Sequence, residues 1–188
     1  NFPKYYIGPM SKNVVDCVID HSKQHPIGLI PSRRQVDWCG GYVNKWNTES
    51  FTEYVREKSD SVLLCRDHGG ENQGLEQDDG LTSFTKDNQN FNLILKWFLE
   101  YLKMGLGDAF NQIKYAVVQS GTGLDLSTRT NTGNFSKRRL KNFIKVVKKY
   151  GVMSKEHNGD YLTDSFDVEL RFECGLDAIN IAPEFGQI

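Results

Sequence analysis

Short apolar runs alternate along this chain with longer segments in which apolar residues recur every three or four positions. The short runs predict strands at residues 27–30, 62–65, 113–119, 152–153 and 178–182. The periodic segments predict helices at residues 9–24, from residue 48, at 95–106 and at 137–149. Because strands and helices alternate, the pattern predicts a parallel sheet covered by helices.

Two of these strands are followed by clusters of polar residues that carry chemistry. The strand at 62–65 leads into Arg66, Asp67 and His68, and the run at 152–153 leads into a second segment with Glu156 and His157. Polar residues at the carboxyl ends of strands lie where α/β folds collect their ligands. The two histidine-plus-carboxylate segments therefore suggest one divalent-metal site with an acid/base group beside it.

The roles of these residues follow from the chemistry of zinc. A neutral imidazole binds Zn²⁺, and a catalytic zinc takes about three protein ligands. We therefore predict His68, His157 and Glu156 as metal ligands and Asp67 as the group that transfers a proton. A structural interpretation stays open, in which Asp67 caps a helix and His68 is hydrogen-bonded in a turn.

Lys155 offers a different chemistry in the second segment. A lysine that forms a Schiff base needs a desolvated pocket that lowers the pKa of its amine. Glu156 and Asp160 are its charged neighbours in sequence, and carboxylates favour the protonated amine. A Schiff-base mechanism is therefore the less favoured alternative.

Other strand ends supply candidate substrate-binding residues. Arg33 and Arg34 follow the strand at 27–30, and arginine can bind a carboxylate or phosphate through two hydrogen bonds. Residues 119–121 form a Gln-Ser-Gly turn with backbone N–H groups for a phosphate or sugar, although a plain turn is an equal interpretation. The predicted substrate-binding residues are Arg33, Arg34, Gln35, Arg66, Gln119, Ser120, Gly121, Lys155, Asn158, Asp160, Asn180 and Glu184.

Charge and composition narrow the classes of partner. Lys+Arg is 23 and Asp+Glu is 24, so a net charge of −1 gives no reason to expect nucleic acid or an anionic membrane. The basic segment 137–149 is most simply a helix with a solvated basic face, with anion binding as the alternative. The 4 cysteines form no CxxC pair, and no signal peptide or long apolar run is present, which favours a reducing cytoplasm.

Several segments, taken in their order along the chain, resemble a known family. These are residues 34–36 (Arg-Gln-Val), 40–42 (Gly-Gly-Tyr), 67–68 (Asp-His), 117–121 (Val-Val-Gln-Ser-Gly) and 156–161 (Glu-His-Asn-Gly-Asp-Tyr). Together they look like the Z-type, non-catalytic subunit family of the tagatose-bisphosphate aldolases. That family belongs with the class II, metal-dependent sugar-phosphate aldolases.

The resemblance implies a fold. Class II aldolases are (β/α)8 TIM barrels, so we expect residues 1–188 to form a single barrel-like domain. Such a barrel takes about 250 residues, so we also expect segments of the barrel to be absent from this chain.

The resemblance also implies an activity. It suggests a divalent-metal-dependent lyase, with Zn²⁺ as the first candidate metal, that cleaves or forms a C–C bond in a phosphorylated or acidic sugar. Asp67 would transfer the proton, and His68 and His157 would bind the metal. The alternative is a non-catalytic barrel subunit that supports a partner aldolase, and a homo-oligomer is also compatible with the resemblance.

Overall fold

The computed structural model describes residues 2–32, 34–37, 40–67, 99–100, 103–118 and 120–186. Within these ranges, six parallel strands form one sheet and two short strands form an antiparallel hairpin. The strands of the sheet are β1 (Tyr5–Ile7), β2 (Gly28–Leu29), β3 (Leu63–Leu64), β4 (Tyr115–Val118), β7 (Met153–Glu156) and β8 (Ala178–Ile181). The hairpin consists of β5 (Leu124–Asp125) and β6 (Thr130–Asn131).

The order of strands corrects the expected barrel. The sheet runs β3-β2-β1-β8-β7-β4, so it is a half-barrel that ends at β3 on one side and at β4 on the other. The fold is α/β, as predicted, but the (β/α)8 TIM barrel is wrong. Alternation of strands and helices predicts parallel pairing of the strands. Open sheets and closed barrels both show this alternation, so it does not tell whether the sheet closes into a barrel.

Helices cover one face of this sheet. They are α1 (Lys12–Ser22), α2 (Thr48–Lys58), α3 (Lys137–Lys148), α4 (Ser165–Glu173) and the short α5 (Pro183–Gly186), with a 3-10 helix at Gly107–Gln112. Ser11 caps α1, Asn47 forms a capping box with Ser50 on α2, and Ser136 caps α3. These caps accept hydrogen bonds from backbone N–H groups that the first helical turn leaves unpaired.

The core lies mainly between the sheet and the helices. One apolar cluster joins α1 and α2 to the strands through residues such as Val15 and Val55, and a second joins α3 to β4 through Phe143 and Val118. A smaller cluster around Tyr6 occupies the other, concave face. Among the described residues, none of the helices combines the length and the apolar character that crossing a membrane requires.

Candidate functional site

A pocket of about 350 Å³ lies at the carboxyl edge of the sheet, where β1, β2, β3, β7 and β8 end. The predicted site residues that line it are Arg34, Gln35, Asp67, His157, Asn158, Asp160 and Asn180. A larger groove of about 940 Å³ lies beside α1 and contains none of the predicted site residues. Chemistry rather than volume therefore identifies the smaller pocket as the candidate site.

The centre of the pocket is a contact between His157 and Asp67. The Nε2 atom of His157 lies 3.3 Å from Oδ2 of Asp67, and the two side chains are 21% and 17% exposed. His157 directly follows β7, and Asp67 follows β3 and is bridged to Ser32 beyond β2. Two residues that the sequence assigned to separate strand ends are thus adjacent, and a ligand in the pocket can reach both.

The loop that carries His157 is fixed by the β5–β6 hairpin. Nδ2 of Asn131 donates to the carbonyl oxygens of Asn158, at 3.0 Å, and of Asp160, at 2.9 Å. Thr122 donates its hydroxyl to the carbonyl oxygen of His157. The hairpin therefore positions the imidazole through the backbone of His157 itself and of the residues that follow it.

Gly159 holds the same loop against β8. Its N–H donates to the carbonyl oxygen of Asn180 at 2.8 Å. A Cβ atom at Gly159 would lie 2.4 Å from Cγ1 of Ile179, which is far inside van der Waals contact. Close approach of two backbones is one reason for a glycine at such a position.

Asp160 and Glu184 connect this loop to α5. Oδ1 of Asp160 accepts from the backbone N–H groups of Ala182, at 2.9 Å, and Glu184, at 2.8 Å. Oε2 of Glu184 accepts from the N–H of Tyr161 at 2.7 Å. Burial raises the pKa of the Asp160 carboxyl, while the backbone donors partly oppose that shift. Both carboxylates hold the backbone, although Asp160 also lines the pocket.

Asn180 contributes an unusual polar atom to the pocket. Its side chain is only 5% exposed, and its Oδ1 atom has no hydrogen-bond partner among the described residues. Most buried polar atoms in folded proteins have a partner. A ligand with a hydroxyl or N–H group would supply the missing donor.

Glu156 does not lie in the pocket. Its Oε1 accepts from the N–H of Ser120 at 2.7 Å, its Oε2 accepts from the Ser120 hydroxyl, and Nε of Arg171 lies 4.0 Å from Oε2. Successive side chains of a strand point to opposite faces. Glu156 belongs to β7 and points towards the helices, so the structure does not bring it next to His157 as a shared metal ligand.

Lys155 points to the opposite, concave face and is 5% exposed. Its Nζ lies 5.7 Å from the centre of the Tyr115 ring. Burial lowers the pKa of this amine, and the Asp67 carboxylate partly raises it again. The neighbours that oppose the lowering of its pKa are therefore Asp67 and Cys65, and not Glu156 as the sequence had suggested.

The predicted residues that follow the strands β2 and β3 differ in their positions. Arg34 is exposed at the mouth of the pocket. Oε1 of Gln35 accepts from the N–H of Ser32 at 2.6 Å. Arg66 donates to the carbonyl oxygen of Val36 and to the hydroxyl of Thr48, and it does not line the pocket.

Ser120 and Gly121 also lie away from the pocket, with Ser120 engaged by Glu156. Gly121 packs against the backbone of Asn134, and its φ of +121° is one that glycine tolerates. Arg33, His68 and Gln119 lie outside the described residues, so their predicted roles stay predictions.

Gly8 and Tyr42 also line the pocket, but the sequence analysis did not predict either as a site residue. The available signal for Gly8 was its position after Tyr5–Ile7, a three-residue strand that was not predicted. Tyr42 is 55% exposed at the rim, within a turn that gave no indication of its direction. Over the described part of the chain, no group of three or more His, Cys, Asp or Glu side chains is arranged to hold a metal ion.

Neither a scan against protein-family models nor a search of curated proteins finds a match for this chain. The resemblance to class II aldolases therefore stays a prediction from sequence segments.

Proposed function

We propose that this chain is an aldolase-like lyase that cleaves or forms a C–C bond in a phosphorylated or acidic sugar. The observation that supports the proposal best is the 3.3 Å contact between His157 Nε2 and Asp67 Oδ2 at the wall of a ligand-sized pocket. An imidazole and a carboxylate in contact can share and transfer a proton, which aldol cleavage requires at the substrate hydroxyl.

The polar groups around this pair favour the same class of ligand. Arg34 at the mouth supplies a cation for a phosphate or carboxylate group. Asn180 supplies a buried acceptor for a hydroxyl group. A small molecule with an anionic end and several hydroxyl groups satisfies both, as a sugar phosphate or sugar acid does.

The proposal includes a divalent cation, with zinc as the first candidate. His157 is the predicted ligand that lies at the pocket, and metal-binding imidazoles commonly donate their other ring N–H to a carboxylate such as Asp67. The contact between His157 and Asp67 fits this pairing of ligand and carboxylate, whereas Glu156 is no longer a candidate ligand. When bound, the cation would stabilise the negative charge that develops on the substrate carbonyl oxygen. Asp67 would orient the imidazole and move the proton.

The test is metal content and aldol cleavage measured on the same preparations. We expect the purified protein to hold about one divalent ion per chain and to release triose phosphate from tagatose 1,6-bisphosphate or a related sugar phosphate. His157→Ala should lose both the ion and the cleavage, whereas Asp67→Asn should keep most of the ion and lose at least about 100-fold in cleavage rate.

The control is His21→Ala, which removes an exposed histidine on α1. This variant should match the parent protein in both measurements. A parent protein that neither binds nor cleaves any sugar phosphate or sugar acid would contradict the proposal.

One observation favours a second candidate function. The described residues contain no three-ligand metal group, which suits a non-catalytic subunit that binds a sugar phosphate and assists a partner aldolase. Binding of the sugar phosphate without turnover, and stimulation of a separate aldolase, would favour this alternative.

A further inference from the structure

Two helices carry opposite charges in rows with the same spacing. Glu49, Glu53 and Glu57 on α2 follow each other at intervals of four residues and are all exposed. We call these three residues the acidic row. Residues four apart lie on one side of a helix and are separated by about 6 Å along its axis.

The second row consists of lysines on α3 and directly after it. Lys137, Lys141, Lys145 and Lys149 follow the same four-residue interval and are also exposed. We call these residues the basic row. The apolar residues of α3 are buried against the sheet, so this helix is anchored and its basic side chains extend towards solvent.

Among the described residues, neither row is paired with an opposite charge. The ion pairs among the described residues involve neither the acidic row nor the basic row. Like charges four residues apart repel each other. In α3, no acidic residue stands in the first turn, where a negative charge would complement the helix dipole. Lys137 at the start of α3 is therefore unfavourable to the helix dipole, whereas Lys145 in the last turn favours it. A group of opposite charge lying along the row would relieve the repulsion between its lysines.

The two helices pack on different parts of the sheet. α2 leads into β3, which forms one end of the sheet, and α3 packs on β4, which forms the other end. The net charge of −1 places no overall repulsion between copies. A contact that joins different surfaces of two copies is heterologous and repeats from copy to copy.

We infer that the acidic row on α2 of one copy docks against the basic row on α3 of a second copy. Equal spacing allows three Glu–Lys pairs to form at once, with the helices side by side. Because a docked pair still has one unused row of each sign, the assembly grows by further copies until it closes into a ring or continues as a chain.

The test is sedimentation velocity of the full chain at several concentrations and two ionic strengths. We expect the mean mass to rise with concentration at low salt. The rise should disappear near 1 M NaCl, where the Debye length falls from about 10 Å to about 3 Å.

Charge reversal makes the test specific. Reversing the acidic row (Glu49→Lys, Glu53→Lys, Glu57→Lys) should give a monomer, because both rows are then basic. Reversing the basic row (Lys137→Glu, Lys141→Glu, Lys145→Glu) should also give a monomer. An equimolar mixture of the two variants should associate again, because each offers the row that the other needs.

A matched control reverses three exposed acidic residues elsewhere, with the same change in net charge: Asp108→Lys, Glu169→Lys and Glu173→Lys. This variant should associate as the parent does, and circular dichroism should show that all variants fold. A parent that stays monomeric at low salt, or a mixture that fails to associate, would overturn the inference. Salt-sensitive binding of a 20-base-pair DNA duplex by a monomeric parent would instead assign the basic row to a polyanion.

Discussion

A buried carbonyl oxygen without a donor destabilises a folded protein unless a ligand supplies that donor. Within the described part of the chain, Oδ1 of Asn180 has no donor, and Asn180 lines the pocket that holds His157 and Asp67. At the scale of the residue, this atom is the clearest indication that the pocket is built to bind a molecule with a hydroxyl or N–H group.

Replacing Asn180 separates binding from stability. For Asn180→Leu, we expect the dissociation constant for a sugar phosphate to rise about 3- to 10-fold, because the ligand loses one hydrogen bond. The free energy of unfolding should stay the same or increase, because the variant no longer buries an acceptor without a donor. Calorimetric titration and urea denaturation measure the two effects. Asn142→Leu, at an exposed position of α3, serves as the control, and unchanged affinity in Asn180→Leu would argue against ligand contact.

Glu156 predicts a pH dependence of stability. Burial raises the pKa of its carboxyl, and the Ser120 donors and Arg171 only partly oppose that shift. The folded state therefore keeps the proton to a higher pH than the unfolded state does. The contribution of this group to stability is fully present below the unfolded pKa and is lost as the pH rises through the folded pKa.

The measurement is urea denaturation of the parent and of Glu156→Gln across about pH 4 to 8. Relative to this variant, the parent should become less stable as the pH rises. Glu173→Gln, at an exposed position, should follow the parent at every pH. A difference between the parent and Glu156→Gln that does not change with pH would show that Glu156 has the same pKa in both states.

At the scale of the element, the β5–β6 hairpin acts on the pocket without lining it. Asn131 uses its Nδ2 to hold the loop after β7, and its Oδ1 accepts from the N–H groups of Gly123 and Gly133 within the hairpin. One side chain therefore joins the hairpin's own turn to the segment that positions His157.

Two substitutions distinguish these contacts. Asn131→Asp keeps the acceptor for Gly123 and Gly133 but places a carboxylate oxygen opposite the carbonyls of Asn158 and Asp160. We expect sugar-phosphate cleavage to fall at least 10-fold and the free energy of unfolding to fall by about 1–3 kcal/mol. Amide exchange of Gly159, followed by NMR, should accelerate. Asn131→Ala should lose the hairpin contacts as well, and an Asn131→Asp protein with normal activity would show that the hairpin does not position His157.

The helices show which elements could be predicted from the sequence and which could not. The helices at α1, α2 and α3 were predicted because their apolar residues recur at helical spacing behind a polar cap. Helix α4 was missed because Phe166, Val168, Leu170 and Phe172 alternate as residues of a strand do.

The direction of side chains at β7 shows why the site was predicted only in part. The sequence placed the end of this strand at residue 153, so Glu156 was treated as a loop residue that can turn towards His157. The strand continues to Glu156, and pairing with β8 fixes the alternation of faces. Chain order alone indicated which segments meet at the carboxyl edge, but the side on which each residue lies depends on where pairing stops.

At the scale of the whole molecule, the parallel pairing of the strands could be predicted from the sequence, whereas the absence of a closed barrel in the described part of the chain could not. The predicted strands at 27–30, 62–65, 113–119 and 178–182 each contain an observed strand. Their lateral order depends on contacts between segments that are far apart in sequence. A local pattern of apolar residues does not contain that information.

The contact between His157 and Asp67 has a consequence for the shape of the sheet. Their strands, β7 and β3, are separated by three others, so in a flat sheet they would lie about 19 Å apart at 4.8 Å per step. Only a strongly curled sheet brings the two side chains to 3.3 Å. This distance is therefore a measure of how strongly the sheet is curved. A molecule that binds both residues would stabilise the curved form of the sheet.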